Sequence, residues 1–285
     1  MKKFKLGEFE RNSAIVFAIS MLANVVTYLY QIVMGNLLSP ADYGTINTLL
    51  SLSIVIGVPS GIISTLVATY TAKYQAVGKP ELIGGFMHKM LRASVLLACV
   101  VFAAGAALSS IIANVLQIEE TRYILATMVV VAFSCVAPVF SCTLQGVKRF
   151  VPYSINGVLN IAIRLLLSIP FVWMGFGIGG NLAAVILAAF ATAAFCFWRA
   201  RDLFFAPKIE QLHLDRTEIR SYFVSTFWFQ LFLLLMANGD VLLIKTFAAD
   251  PAEVGIYSSG SVIGKISLYL ANAIVPVLLP MVAEC

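Results

Sequence analysis

Eight apolar runs, each long enough to cross a bilayer, leave this chain few ways to fold. A helix rising 1.5 Å per residue needs about 20 apolar residues to span the hydrocarbon core. Such runs lie at about 13–37, 45–72, 89–113, 122–144, 152–174, 178–200, 222–247 and 254–282. Backbone N–H and C=O groups find no water there, so runs of this length predict helices. Charged residues are only 12% of the 285, about half the share usual in a soluble domain. The fold class is therefore an all-α polytopic membrane protein of about eight transmembrane helices. The first run follows lysines, as a signal-peptide core does. At about 24 residues it is longer than such a core, and no clear A-x-A site follows, so it is read as a retained span. Pro59, Pro138, Pro170 and Pro276 fall inside spans and are expected to bend them.

Two of the spans repeat. Ser39-Pro40-Ala41-Asp42 aligns with Asp250-Pro251-Ala252-Glu253, and Gly44 with Gly255, at an offset of 211 residues. Each copy has the chemistry of a helix start. Ser39 or Asp250 supplies an N-cap oxygen, proline at the next position has no N–H to lose, and the acid after it meets the positive end of the helix dipole. Apolar spans flank both copies, so the chain carries one membrane hairpin twice.

Charge orients the spans. Fifteen of the nineteen basic residues fall on one side of the expected topology, including Lys2, Lys3, Lys5, Lys148, Arg149, Arg199 and Arg201. By the positive-inside rule that side is cytoplasmic, and both termini lie there, the N-terminus with them. The net charge of +5 thus reflects orientation, and nucleic acid is not an expected partner. The longest polar connection separates six spans from the repeated hairpin. The expected organisation is an N-terminal lobe over 1–200 (spans 1–6), a cytoplasmic interlobe linker over 201–221, and the start of a C-terminal lobe over 222–285 (spans 7–8). If the second lobe repeats the first, about four spans are missing, so a truncated chain is expected.

The stretches NSAIVFAISMLANVVTYLYQIVMGNLLSPADYGTINTLLSL, TAKYQAVGK and NGDVLLIKTFAADPAEVGIYSSGSVIGKI carry a resemblance over nearly the whole chain. They are similar to the polysaccharide-biosynthesis flippases (the Wzx type) of the multidrug/oligosaccharidyl-lipid/polysaccharide exporter superfamily. The resemblance implies 12 to 14 helices in two six-helix lobes around a V-shaped cavity. It implies alternating access that moves an undecaprenyl-pyrophosphate-linked sugar across the cytoplasmic membrane. Membrane lipids and polysaccharide polymerase or assembly proteins are the partners it suggests, with no cofactor beyond a coupling Na⁺ or H⁺.

Polar residues inside spans mark the candidate site. Arg164 is about 10 to 12 positions from either end of span 5, some 15–18 Å from each surface and too deep to snorkel. Asn156, Asn160 and Ser168 share its helix face. Lys265 stands mid-span in span 8 with Ser258, Ser261, Tyr269 and Asn272, and span 1 carries Ser20, Asn24, Thr27, Tyr28 and Gln31. Three polar stripes are expected to line one wet cavity, the competing reading being hydrogen bonds between helices. Two cations near the midplane suit an anionic head group such as pyrophosphate, with Arg donating in a fork and Lys acting as a point charge. Asp240, after the helix-loosening pair Asn238-Gly239, is the one acid well inside a span. By resemblance it is a coupling-ion site for Na⁺ or H⁺. A salt bridge to a cation on another helix, Lys265 for instance, is the equal alternative.

Motifs of soluble enzymes are absent, with no HExxH, P-loop or GxSxG. Gly175 to Gly180 formally fits GxGxxG but reads as a turn between spans 5 and 6. Cys99, Cys135, Cys142, Cys196 and Cys285 form no CxxC and read as small buried apolar residues. His88 and His213 read as surface residues of cytoplasmic connections, and Trp173, Trp198 and Trp228 as interface anchors. A drug/cation antiporter of the same superfamily would want acids in spans 1–6, which hold none well inside the bilayer. A membrane-embedded transferase would want clustered carboxylates for Mg²⁺ at the surface, where only Glu119-Glu120 are adjacent. A non-transporting membrane scaffold is the remaining class.

Overall fold

The structure, a computed structural model, describes residues 6–78, 81–205 and 216–265; side chains are described from residue 17 on, apart from 216–222. Among the described residues it is entirely helical: α1 (Leu6–Leu37), α2 (Pro40–Ile56), α3 (Val58–Ala76), α4 (Glu81–Ala107), α5 (Ser109–Val115), α6 (Thr121–Gly146), α7 (Phe150–Phe171), α8 (Gly177–Phe204), α9 (Arg216–Phe247) and α10 (Pro251–Gly264). The second expected span is broken. α2 ends on Gly57, Pro59 occupies the first turn of α3, and the two helices meet at 50°. Taken together, the two halves are long and apolar enough for one broken crossing.

The stretch Phe150–Phe204 is helical for 55 residues but reverses on itself. Gly175 at φ 88° and Gly177 at φ 50° adopt left-handed backbone that only glycine takes without strain. Asn160 bonds to Thr192 and Ser168 to Asn181, which sets α7 and α8 antiparallel. The formal GxGxxG is therefore an interhelical turn, and this stretch supplies two crossings. With it, the first seven expected spans lie in described helices. The eighth begins as α10, and its part beyond 265 lies outside the described residues.

α6 is the hub of the six-span bundle, packed against α3, α4 and α8, while α1 leans on α7. Its contacts are apolar and closely fitted: Ile124 and Met128 meet Leu49 and Leu182 near one end, and Leu144 meets Ile83, Met87 and Cys196 near the other. Side chains facing outward are apolar too, Leu166 and Met236 being 68% and 87% exposed, as a lipid-facing surface requires. Trp173, Trp198 and Trp228 are exposed near span ends. Two expectations change. Cys99 is exposed on α4, whereas Cys135, Cys142 and Cys196 are buried; Cys285 lies outside the described residues. His88 belongs to α4, which starts at Glu81, ahead of the apolar run. Its ring stacks on Phe204 at 3.9 Å and its Nδ1 lies 2.8 Å from the Gly84 carbonyl oxygen. His213 lies outside the described residues.

The α9–α10 hairpin docks on the bundle through α2, which meets both of its helices. Both helix starts form as their residues dictate. Ser39 Oγ accepts from the Asp42 N–H at 3.1 Å and donates to the Asp42 carboxylate at 2.8 Å. Asp250 Oδ1 accepts from the Ala252 N–H at 2.8 Å. The two aligned glycines then meet each other across the repeat. A Cβ on Gly44 would lie 2.7 Å from Gly255 N, and one on Gly255 would overlap the Pro40 carbonyl oxygen. Glycine is required because backbone touches backbone there.

Candidate functional site

Arg164 sits over an aromatic ring. Its guanidinium carbon lies 4.0 Å from the ring centroid of Tyr30, a cation–π contact between α7 and α1. Tyr30 is 1% exposed, and its hydroxyl oxygen accepts from Asn181 Nδ2 at 2.6 Å. The same Asn181 nitrogen lies 3.3 Å from Ser168 Oγ, and both Asn181 and Ser168 are fully buried. Three helices thus fix the ring on which the guanidinium rests. Nε and Nη2 are buried and have no hydrogen-bond partner among the described residues. Neither ion pair among those residues involves Arg164; they join Arg122 to Glu120 and Arg149 to Asp202. Arg164 is half-buried as a whole, so these two nitrogens are the shielded donors of a partly exposed cation.

The other residues on the expected stripes part company. Ser168 joins the Arg164 network through Asn181. Asn160 Nδ2 instead donates to Thr192 Oγ1 on α8 at 3.2 Å, and Asn156 Oδ1 is buried without a partner among the described residues. Gln31 faces α2, taking the Tyr43 hydroxyl proton at 3.1 Å and reaching Asn47 at 3.4 Å. Asn24 is half-buried on α1. These contacts realise the interhelical reading of Asn160 and Gln31.

A second polar centre lies between α9 and α10. Asp240 Oδ2 accepts from the Tyr257 hydroxyl at 3.1 Å and the Ser261 hydroxyl at 3.2 Å. Its Oδ1 is buried with no partner among the described residues. Lys265 does not reach it: its Nζ donates to Asn238 Oδ1 at 3.3 Å. Tyr269 and Asn272 lie outside the described residues. Sequence reasoning passed over Lys245 as a site residue; it is 4% exposed, and its Nζ donates to Thr45 Oγ1 on α2 at 3.3 Å. Asn181 was missed too. A lone Asn just inside the Gly175–Gly180 turn makes no stripe, and its position there was the available signal. No group of three metal-ligating side chains occurs among the described residues.

Long apolar helices, bent and broken crossings and buried charge between them define a multi-pass membrane protein with a transporter fold. The chain belongs to the polysaccharide biosynthesis protein family, whose pattern it matches over residues 9–285. No curated protein matches it in sequence. In fold it is similar to an inward-facing multidrug resistance MATE family transporter of the MOP superfamily (TM-score 0.70, 14% identity), covering 93% of this chain and 63% of that one. An outward-facing MATE family transporter of the MOP superfamily is also similar (TM-score 0.64, 18% identity), with 93% and 63% covered. A MOP superfamily transporter from Pyrococcus furiosus, described as having a binding pocket of reversed polarity, follows at TM-score 0.57 and 16% identity over 79% and 53%. The chain thus spans about 63% of the length of the first of these transporters.

Proposed function

We propose that this protein moves a lipid-linked oligosaccharide, carried on a pyrophosphate, across the cytoplasmic membrane by alternating access, with its N-terminus in the cytoplasm. The observation that supports this reading most is Arg164: a mid-span cation over the Tyr30 ring, with two buried N–H nitrogens unpaired and no ion-paired acid among the described residues. Pyrophosphate oxygens are the acceptors such a group suits, and charge-assisted bonds of this kind are the strong ones. Lys265 adds a second positive charge from α10. In this reading 1–200 forms one lobe, 201–221 links it on the cytoplasmic side, and 222–285 begins the second. Asp240 is the coupling-ion group. Its Oδ1, unpartnered among the described residues, and the oxygens of Tyr257 and Ser261 form a hard-oxygen set suited to Na⁺ or a proton.

A drug/cation antiporter is the second reading, and Asp240 is what favours it, since a carboxylate could hold a cationic substrate. The assay that separates them is transport in proteoliposomes by the full-length gene product. The expected result is translocation of a fluorescent pyrophosphate-linked lipid sugar, dependent on a Na⁺ or proton gradient, with no movement of lipophilic cations. Movement of the cations alone would replace the proposal with the antiporter, and movement of neither with a scaffold.

A further inference from the structure

Packing alone does not call for the ring beneath Arg164 to be a tyrosine. The Arg164 guanidinium carbon is 4.0 Å from the Tyr30 ring centroid. A carbon at the ring edge would stop about 5 Å from the centroid, so this one lies over the ring face, where the π cloud is negative. Arg122, Arg199 and Arg201 also lie near aromatic rings, but at 5.5 to 5.8 Å.

Tyr30 clusters with Met34, Ile161 and Val172, all buried. Phenylalanine would fill that space without burying a hydroxyl. The hydroxyl is held by Asn181, whose Nδ2 lies 2.6 Å away, and Asn181 is held in turn by Ser168 at 3.3 Å. Ser168 stands one turn beyond Arg164 on α7. The contacts therefore run from α7 through α1 and α8 and back to α7. Burying this set is costly, and Asn181 Oδ1 is left without a partner among the described residues. The repeated hairpin does without it, since buried Val241 stands at the place of Tyr30.

The ring changes what Arg164 can offer. Elsewhere in the bundle arginines are fixed by acids, Arg122 by Glu120 and Arg149 by Asp202. Spans 1–6 hold no acid well inside the bilayer. A carboxylate there would cancel the charge of Arg164 and take up two of its N–H groups. An aromatic face attracts the cation through its quadrupole and leaves the full charge in place. Arg164 Nε and Nη2 are unpartnered among the described residues, as this arrangement requires.

We propose that Tyr30 is the positioning residue of Arg164. Its ring, itself fixed by Asn181 and Ser168, holds the guanidinium ready for a pyrophosphate without neutralising it. This role rests on the reading of Arg164 as the pyrophosphate contact.

The test is binding of farnesyl pyrophosphate, with farnesol as the neutral control, to the full-length gene product in nanodiscs. Arg164→Ala should remove the preference for farnesyl pyrophosphate. Tyr30→Phe keeps a ring and should bind within about twofold of the unchanged protein. Tyr30→Leu should bind about tenfold more weakly, the effect of having to order one long side chain on binding. Tyr30→Glu should weaken binding at least as much as Arg164→Ala does. Phenylalanines with one, two and three ring fluorines, placed at Tyr30, drain the π cloud with little change of shape. Binding should weaken stepwise along that series toward the Tyr30→Leu value, a response that a merely structural ring would not give. If Tyr30→Leu and Tyr30→Glu do not fold, the fluorine series decides alone. A flat series beside a loss in Arg164→Ala would overturn the role of Tyr30 and leave Arg164 as the pyrophosphate contact. Equal binding of farnesol and farnesyl pyrophosphate by the unchanged protein would overturn the pyrophosphate reading, and the role of Tyr30 with it.

Discussion

The membrane hairpin occurs twice, 211 residues apart, and the two copies use equivalent positions for different chemistry. Where they touch, they are alike: Gly44 and Gly255 meet backbone to backbone, and each follows a capped helix start. Away from that contact they diverge. Asp240 and Lys265 stand where the first copy has Leu29 and Ile54, both well exposed apolar residues. Conversely Tyr30, the platform for Arg164, aligns with buried Val241, and buried Met34 aligns with buried Lys245. A duplicated scaffold therefore preserves what close packing demands and leaves polar positions open to specialisation. The first copy helps hold a cation contributed by α7, whereas the second holds an acid and a lysine of its own.

The packing half of that comparison should respond most strongly. Gly255→Ala forces a methyl group into the Pro40 carbonyl, which cannot rotate away, and should cost about 3 kcal/mol or prevent folding. Gly260→Ala on the same helix meets nothing within 4 Å and should be neutral or stabilise by up to about 1 kcal/mol. Thermal unfolding of the two variants in detergent checks this. Equal melting temperatures would show that the glycine contact is not tight.

Function should respond next. Arg164→Ala should lower lipid-linked sugar translocation about 100-fold at unchanged abundance, from the loss of about two charge-assisted hydrogen bonds. Arg164→Lys should recover part of it, since a point charge cannot fork to two oxygens. Normal translocation by Arg164→Ala would reduce the Tyr30 stack to a structural contact.

Asp240→Asn should lower translocation about tenfold and remove its dependence on the ion gradient, since one hydrogen-bonded carboxylate is lost. Because Lys265 bonds to Asn238, adding Lys265→Gln should not restore activity. Restoration in the double variant would make the acid and the lysine a structural pair.

The smallest effect is expected for Lys245→Met, which installs the residue that the first copy has at this place. Thr45 loses one charged hydrogen-bond donor while the cost of desolvating that charge disappears, so stability should change by no more than about 1 kcal/mol. A large loss of transport with stability intact would mark Lys245 as a third functional cation.

Apolar spans and helix caps were legible in the chain. Burying a helix in lipid takes an apolar run whatever its neighbours are, and a cap acts within four residues. Partners were not legible. Gln31 and Tyr30 are adjacent in sequence, yet a turn of about 100° sends one to α2 and the other to α7 and α8. The break at Gly57 fell two residues before Pro59, because the proline begins the new helix. Asp240 and Lys265 pointed to each other by charge alone, but Tyr257, Ser261 and Asn238 are nearer donors and acceptors.

What the sequence by itself determined was which segments are long and apolar enough to cross a membrane, how the two capped helices begin and where basic residues cluster along the chain. Each of these depends on local transfer energies and on backbone bonds closed within one segment. Only the tertiary structure decided that Tyr30 and Asn181, 151 residues apart, would together hold the ring beneath Arg164, and that the two repeated glycines would face each other. Such contacts depend on which helices become neighbours and how each is rotated, and packing of the whole bundle settles both at once.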